Sequence, residues 1–371
     1  MTATQVRPLR HAIVGVGASV LEMHRPAFDL PSIHLVGVSD LDAAKGRARA
    51  AELDCAFYSD HREMLAATQP DVAIVLTPHP FHAAVTIGCL EAGCHVLVEK
   101  PMAVDVAEAD AMIAAAERTR RLLAVNLQHR CRPAVRAARK LIDKGALGAL
   151  QHINMTVAWP RTAAYYRSAG WRATWRGEGG GVLMNQAPHN LDLLCYLLGR
   201  PVRVTAWTRN LLHRLEVEDT AQAMLEWGSG TLGSLHVSTA ETGRPERLEM
   251  VGTRGYMQLK DGALSLELFE TDFATFATNS ADGFAKPASR AEVVSLEAGE
   301  GNHAAIYENL HAAILHGAPL VADGVQGRMS LELANAMTLS SHTRSEVELP
   351  LDVQRYGALL EDLKVRGRVV R

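Results

Sequence analysis

Cysteine is scarce in this 371-residue chain: five residues, at 55, 89, 94, 131 and 195, with no CxxC pair. That argues against a zinc knuckle or a disulfide framework, and no metal is expected. Reduced thiols in a cytoplasmic setting are the expectation. No apolar run approaches the ~18 residues that span a bilayer. No membrane span is therefore expected, and because Met1 to Arg10 lacks the apolar stretch of a secretory leader, no signal peptide is expected either. Excess positive charge is missing too. Lys and Arg number 38 against 41 Asp and Glu, a net charge of −3, so nothing favours nucleic acid or an anionic membrane. Basic residues do bunch at Arg130-Cys131-Arg132 and from Arg136 to Lys140, and read as a solvated helix face. Internal repeats and low-complexity tracts are absent as well.

What is present is ample apolar material, 48% of residues, on a chain too long for one ordinary core. Two domains are expected, 1–127 and 128–371, with the C-terminal tail returning to the first. In the first, short apolar strands alternate with helical patterns. The strands read as His11–Val16, Ile33–Ser39, Asp71–Leu76, His95–Glu99 and Leu122–Asn126. Helices read as Ala18–Leu30, Leu41–Leu53, Phe81–Ala92 and Val104–Arg120, with Gly93 where a helix-stopping glycine belongs. Such alternation implies an α/β, doubly wound parallel sheet. Ligands of these sheets bind at the carboxyl ends of the strands.

Gly15-Val16-Gly17-Ala18-Ser19-Val20 lies between the first strand and the first helix. The first glycine permits a tight turn and the second lets a pyrophosphate approach the backbone. The following helix N-terminus offers N–H groups to the phosphates. The usual third glycine is Val20. Asp40, 25 residues past Gly15, ends the next strand. Its carboxylate can accept both adenosine ribose hydroxyls and repels a 2′-phosphate, which favours NAD over NADP. Asp40 can also cap the next helix, with Asp42 as a rival. Cofactor contacts are therefore expected from Gly15, Gly17, Ala18, Ser19, Val20 and Asp40. Further contacts are expected at later strand ends, from Thr77, Pro78, His82, Glu99, Lys100 and Asn126.

Two longer segments are more specific. Asp71-Val-Ala-Ile-Val-Leu-Thr-Pro-His-Pro-Phe-His82 is followed by Ala92-Gly-Cys-His-Val-Leu-Val-Glu-Lys-Pro101. Later come Asn126 to Pro133, Lys144-Gly-Ala-Leu-Gly148, Gly179 to Asp192, Gly324 to Ser330 and Val347-Glu-Leu-Pro350. In this order they resemble the glucose–fructose oxidoreductase / inositol dehydrogenase / rhizopine catabolism family over roughly residues 9 to 350. The resemblance implies a Rossmann first domain, a second α+β domain with a large open sheet, and packing of that sheet against another subunit as a homodimer or homotetramer. It also implies that Lys100, in Glu99-Lys100-Pro101, contacts the nicotinamide ribose and the reacting substrate oxygen. Pro101 restricts Lys100 to extended geometry and leaves the bond between them able to be cis.

His189 opens an apolar helical stretch after the glycine-rich run 177–181. A histidine titrates near neutrality and can take a proton from an alcohol as hydride leaves. Many members of the family place an aspartate four residues earlier; here it is Asn185, which cannot accept a proton. Asp192 stands one helical turn beyond His189, able to orient the imidazole, bind substrate, or serve as a helix-start acid.

Beyond Leu150 the pattern becomes mostly antiparallel: strands Gln151–Trp159, Val202–Arg209, Ala221–Trp227, Thr231–Ser238, Leu248–Val251 and Tyr256–Lys260, with hairpin turns at 227–231 and 252–255. Helices are expected near 186–198, 303–316 and 326–341. The aromatic and basic loop 160–178 suits a polyol pocket, with Trp171, Arg172 and Trp175 as substrate residues beside Asn185, His189 and Asp192. Asp272 to Arg290 reads as a mobile surface excursion. The function implied is an NAD-dependent oxidoreductase acting on a sugar or cyclitol hydroxyl, with Lys100 and His189 catalytic. The alternatives are a redox-neutral, NAD-using glycoside-cleaving enzyme and a non-catalytic nucleotide-binding regulator.

Overall fold

The computed structural model describes residues 7–17 and 19–367. They divide into two compact units. The first holds residues up to Gln128, Arg176–Gly179 and Asn302–Leu331; the second holds His129–Trp175, Gly180–Gly301 and the residues from Glu332 onward.

The first unit carries six parallel strands: β1 (Leu9–Val14), β2 (Ile33–Ser39), β3 (Ala56–Tyr58), β4 (Val72–Val75), β5 (His95–Val98) and β6 (Leu123–Val125), in the order β3-β2-β1-β4-β5-β6. The central strands read as continuous apolar runs because helices cover both faces. Ile13, Val38, Ile74 and Leu97 are wholly buried. The order reverses between β1 and β4, and there Gly15 and Thr77 follow the two strands. Helices Ala43–Glu52 and His61–Thr68 begin under Asp42 and Asp60, whose carboxylates accept the first-turn amides. Two elements lie outside the sequence reading: β3, only three residues long, and helix His61–Thr68. The first helix is also shorter than expected, Leu21–Phe28, so Ser19 and Val20 belong to the turn before it. The expected site residue Ala18 lies outside the described residues.

The second unit is built on a nine-stranded sheet. Its strands are β7 (Leu150–Ala158), β8 (Arg203–Arg209), β9 (Thr220–Glu226), β10 (Leu232–Ser238), β11 (Arg247–Gly252), β12 (Gly255–Lys260), β13 (Ala263–Phe269), β14 (Ser289–Glu292) and β15 (Val347–Glu348). The order is β14-β13-β12-β11-β7-β10-β9-β8-β15, antiparallel throughout except for the β7–β10 pair. Alternation along β10 to β12 buries every second residue, among them Leu235, Met250 and Met257. Helix Pro133–Asp143 packs on β12 and β13. The excursion expected at 272–290 instead contains a helix, Phe273–Asn279, capped by Asp272, and the start of edge strand β14. Composition rich in small polar residues hid both, because strand pairing with β13 supplies what the local pattern lacks. Among the described residues no helix is long and apolar enough to cross a membrane.

Candidate active site

In the first unit the glycine loop is pinned at both ends of its turn. The Gly15 amide donates to the Ser39 carbonyl at 2.8 Å, and Gly15 has φ +88°. A β-carbon there would stand 2.8 Å from the Thr77 backbone nitrogen, so only glycine lets these two strand ends approach. Asp40 Oδ2 accepts the Val16 and Gly17 amides at 2.9 and 2.8 Å, and its Oδ1 accepts the Asp42 amide. The acid thus organises the loop directly; the helix cap proper is Asp42.

The remaining first-unit residues lie at the ends of β4, β5 and β6. The Lys100–Pro101 peptide is cis. His82 is buried, with both ring nitrogens against the Pro101 and Thr77 carbonyls at 2.8 and 2.7 Å. It ties the two loops together rather than facing outward. Glu99 accepts from His24 Nε2 at 3.1 Å, from Asn126 Nδ2, and from the Lys100 backbone amide at 3.2 Å. Burial alone would raise its pKa. The His24 bond and charge, then the Lys100 charge and the Asn126 bond, hold it instead at about 2. Thr77 Oγ1 and Asn126 Oδ1 are buried with no hydrogen-bond partner among the described residues. Polar atoms left so at strand ends beside a glycine turn fit a dinucleotide, whose ribose and amide groups would supply hydrogen-bond partners.

In the second unit, Gly181 lies so close to the chain that a β-carbon would meet the Glu218 carbonyl oxygen at 1.9 Å. Glu218 Oε1 accepts the Gly181 and Leu183 amides at 3.0 Å each. This clamp sets the short helix Val182–Asn185, and helix Pro188–Leu198 follows with proline in its first turn. Asn185 is half-buried at the end of the first; His189 is 7% exposed at the start of the second. The His189 ring stacks on His129, centroids 4.2 Å apart and planes 22° apart. Arg132 Nη2 lies 2.6 Å from His129 Nε2 and, as a permanent donor, makes that nitrogen an acceptor. Nearby, Asn190 donates to Glu246 at 3.0 Å, and burial pushes the Glu246 carboxyl up.

Asp192 takes neither the imidazole nor a solvent-facing position. It is wholly buried, and Arg130 grips both its oxygens, Nε to Oδ2 at 2.8 Å and Nη2 to Oδ1 at 2.6 Å. Burial pushes the Asp192 carboxyl up, while the ion pair raises Arg130 against its own burial; the short bidentate geometry favours the charged pair. Arg130 therefore corrects the expectation of a solvated basic face: it is 1% exposed. Trp175 is also buried, its ring edge-on to His342 at 5.8 Å. Trp171 and Arg172 remain half-buried, with the guanidinium 4.8 Å from the Trp171 ring and 4.3 Å from Tyr165. Sequence reasoning did not single out His129, Arg132, Glu246, His24, His303 or Tyr307. One signal was legible for the last two: residues 303, 307 and 311 repeat at helical spacing as a polar aromatic stripe.

Residues 9–127 match the model of an oxidoreductase family with an NAD-binding Rossmann fold, and residues 135–258 match the GFO/IDH/MocA C-terminal domain. The D-glucoside 3-dehydrogenase of Escherichia coli (strain K12) is 31% identical over 60% of this chain and 63% of its own length. The chain thus spans less than two thirds of that curated relative. The D-apiose dehydrogenase of Paraburkholderia graminis is 27% identical over 94% of this chain and 92% of its own. Among solved structures, the WlbA dehydrogenase from Chromobacterium violaceum, in complex with NADH and UDP-GlcNAcA, is 31% identical. It superposes with a TM-score of 0.82, covering 94% of this chain and 98% of that one.

Proposed function

Because the chain belongs to the Gfo/Idh/MocA oxidoreductase family, we propose that it is an NAD-dependent dehydrogenase moving a hydride between a sugar or cyclitol hydroxyl and nicotinamide. The observation that carries this is the first unit's strand-end crevice, with the Gly15 turn against Thr77, the Asp40-held loop, and the buried unpartnered atoms of Thr77 and Asn126. Bound NAD would be held by that loop and by Asp40, and its nicotinamide supplies the hydride acceptor. The absence of an Arg beside Asp40 favours NAD over NADP.

The chain's own residues supply the proton chemistry. The His189 imidazole takes the hydroxyl proton, and its face against His129 keeps the ring orientation fixed. The Lys100 ammonium offsets the charge developing on the substrate oxygen. Asn185 donates or accepts hydrogen bonds but moves no proton. Trp171 and Arg172 present a face and a fork to a polyol. Asp192 and Trp175 act through the packing beneath the site. The named relatives are a D-glucoside 3-dehydrogenase and a D-apiose dehydrogenase, and the WlbA dehydrogenase holds UDP-GlcNAcA, which supports a carbohydrate substrate. Self-association is supported by Trp207, Met224 and Leu232, each about half exposed on adjacent strands β8, β9 and β10. Five cysteines that form no disulfide among the described residues suit a cytoplasmic setting.

The test is purified protein with NAD and a panel of cyclitols, aldoses, uronates and glycosides, read by NADH absorbance and repeated with Lys100→Met. Turnover with one class, abolished in the variant while calorimetry still shows NAD binding, is the expected result. Wild-type turnover in Lys100→Met refutes the assignment. NAD binding with no NADH from any substrate shifts the reading to a redox-neutral or regulatory protein.

A further inference from the structure

Two arginines of the second unit, two residues apart, are compensated very differently. Arg130 is held by both oxygens of Asp192, and that pair raises its pKa against its own burial. Arg132 has no such partner. Its side chain makes one hydrogen bond among the described residues, from Nη2 to His129 Nε2 at 2.6 Å. The one carboxylate paired with it, Glu246, stands 4.0 Å from Nη1, beyond hydrogen-bond reach. Burial lowers the Arg132 pKa, and the Glu246 charge does not make good the loss. Burial likewise raises the Glu246 pKa despite Arg132, and Asp261 pushes the same way. Two charges that satisfied each other would move in the opposite directions.

A guanidinium offers five N–H donors in a planar fork and stays charged at any ordinary pH. His129 takes one of them. The Arg132 side chain is 33% exposed, so the remaining donors reach water, which a ligand can replace. Its own helix, Pro133–Asp143, has no acid in the first turn to balance the charge. Asn190 Nδ2 donates at 3.0 Å to the same Glu246 oxygen that faces Arg132, which draws that carboxylate further into its own contacts. Arg132 also lies close to His189: one 2.6 Å contact to His129 and one 4.2 Å ring stack separate them. A single sugar ring bridges such a span.

We propose that Arg132 is a specificity-determining residue that binds a carboxylate carried by the sugar, so that the substrate class is a sugar acid of the uronate type. This rests on the reading that His189 takes the proton of the substrate hydroxyl. A carboxylate matches one edge of the guanidinium with both oxygens. A phosphate monoester, with nearly two negative charges, is repelled more strongly by Glu246 and fits the place less well.

The test is calorimetry in the presence of saturating NADH, which needs no turnover. D-Glucuronate, D-galacturonate and D-mannuronate are each compared with their own aldose, and D-glucose 6-phosphate with D-glucose. At least one uronate should bind about 10- to 100-fold more tightly than its aldose, a preference that shrinks in high salt. Arg132→Gln should remove the preference by weakening the acid far more than the aldose. Arg132→Lys, which keeps the charge but lacks the fork, should fall between. Glu246→Gln takes away the competing charge and should strengthen the acid severalfold; a merely structural role for Arg132 predicts no such gain. In turnover with the preferred acid, Arg132→Gln should act chiefly through KM. The proposal is overturned if no uronate is preferred to its aldose, if the preference survives in folded Arg132→Gln, or if the phosphate ester binds more tightly than the uronates. Because binding is read without NADH formation, failure of the dehydrogenase reading would leave this result standing or falling on its own.

Discussion

Asp192→Leu would remove the carboxylate from a pair that has almost no contact with water. Arg130 is 1% and Asp192 0% exposed, joined by bonds of 2.8 and 2.6 Å. The variant leaves a guanidinium charge buried without its counter-ion, which typically costs about 3–5 kcal/mol. The Tyr196 ring lies 4.7 Å from that guanidinium, but a cation–π contact recovers only about 1–2 kcal/mol and is already present in the wild type. Urea unfolding followed by tryptophan fluorescence is the suitable assay, since all five tryptophans, at 159, 171, 175, 207 and 227, belong to the second unit. With a urea dependence of about 2–3 kcal/mol per molar, the midpoint should drop by roughly 1–2 M. The pair Arg130→Met with Asp192→Leu removes both charges and should return to within about 1 kcal/mol of wild type. Asp192→Leu unfolding at the wild-type midpoint would refute the reasoning, and so would a double variant no better than the single one.

Three further outcomes follow from the structure. Gly181→Ala places a methyl 1.9 Å from the Glu218 carbonyl, so the protein should be recovered only in inclusion bodies or with its second unit unfolded by fluorescence; a soluble, active variant contradicts this close approach. Asp40→Ala unpins the Val16 and Gly17 amides and removes the proposed ribose acceptor, so the NAD dissociation constant should rise about tenfold or more by calorimetry, with discrimination against NADP reduced. Burial, with a smaller contribution from His311, holds His11 well below its ordinary 6.5, at about 4. A depressed histidine contributes stability above its unfolded pKa and loses it as pH falls, so the first unit should weaken by about 3 kcal/mol between pH 6.5 and 4. Hydrogen exchange of peptides from 303–316 reads this directly, and protection independent of pH over that window would sink it.

The parallel sheet was legible because buried strands must be apolar on both faces and the helices between them keep a 3.6-residue period. The same holds for Gly15, whose need for φ +88° no other residue meets cheaply. Short edge elements were not legible. β3, β14 and β15 have two to four residues each, too few for a period, and exist because a neighbouring strand offers its amides. Arg130 and Asp192 show the limit for charges. In sequence each is a surface-type residue, and 62 positions separate them.

The amino-acid sequence by itself determined the fold class and the glycine turn at Gly15 with Asp40 at the next strand end, and it named Lys100 and His189 as the residues to examine. These follow from local chemistry: backbone freedom, hydrogen-bonding capacity and periodicity act over a few residues. Tertiary structure alone decided what each polar side chain faces. It turned Asp192 and Trp175 inward, set His129 against His189, brought His24 to Glu99 across 75 positions, and brought Tyr307 to His24 across 283. Long-range pairing of buried polar groups is set by which elements pack together, and no local pattern encodes that.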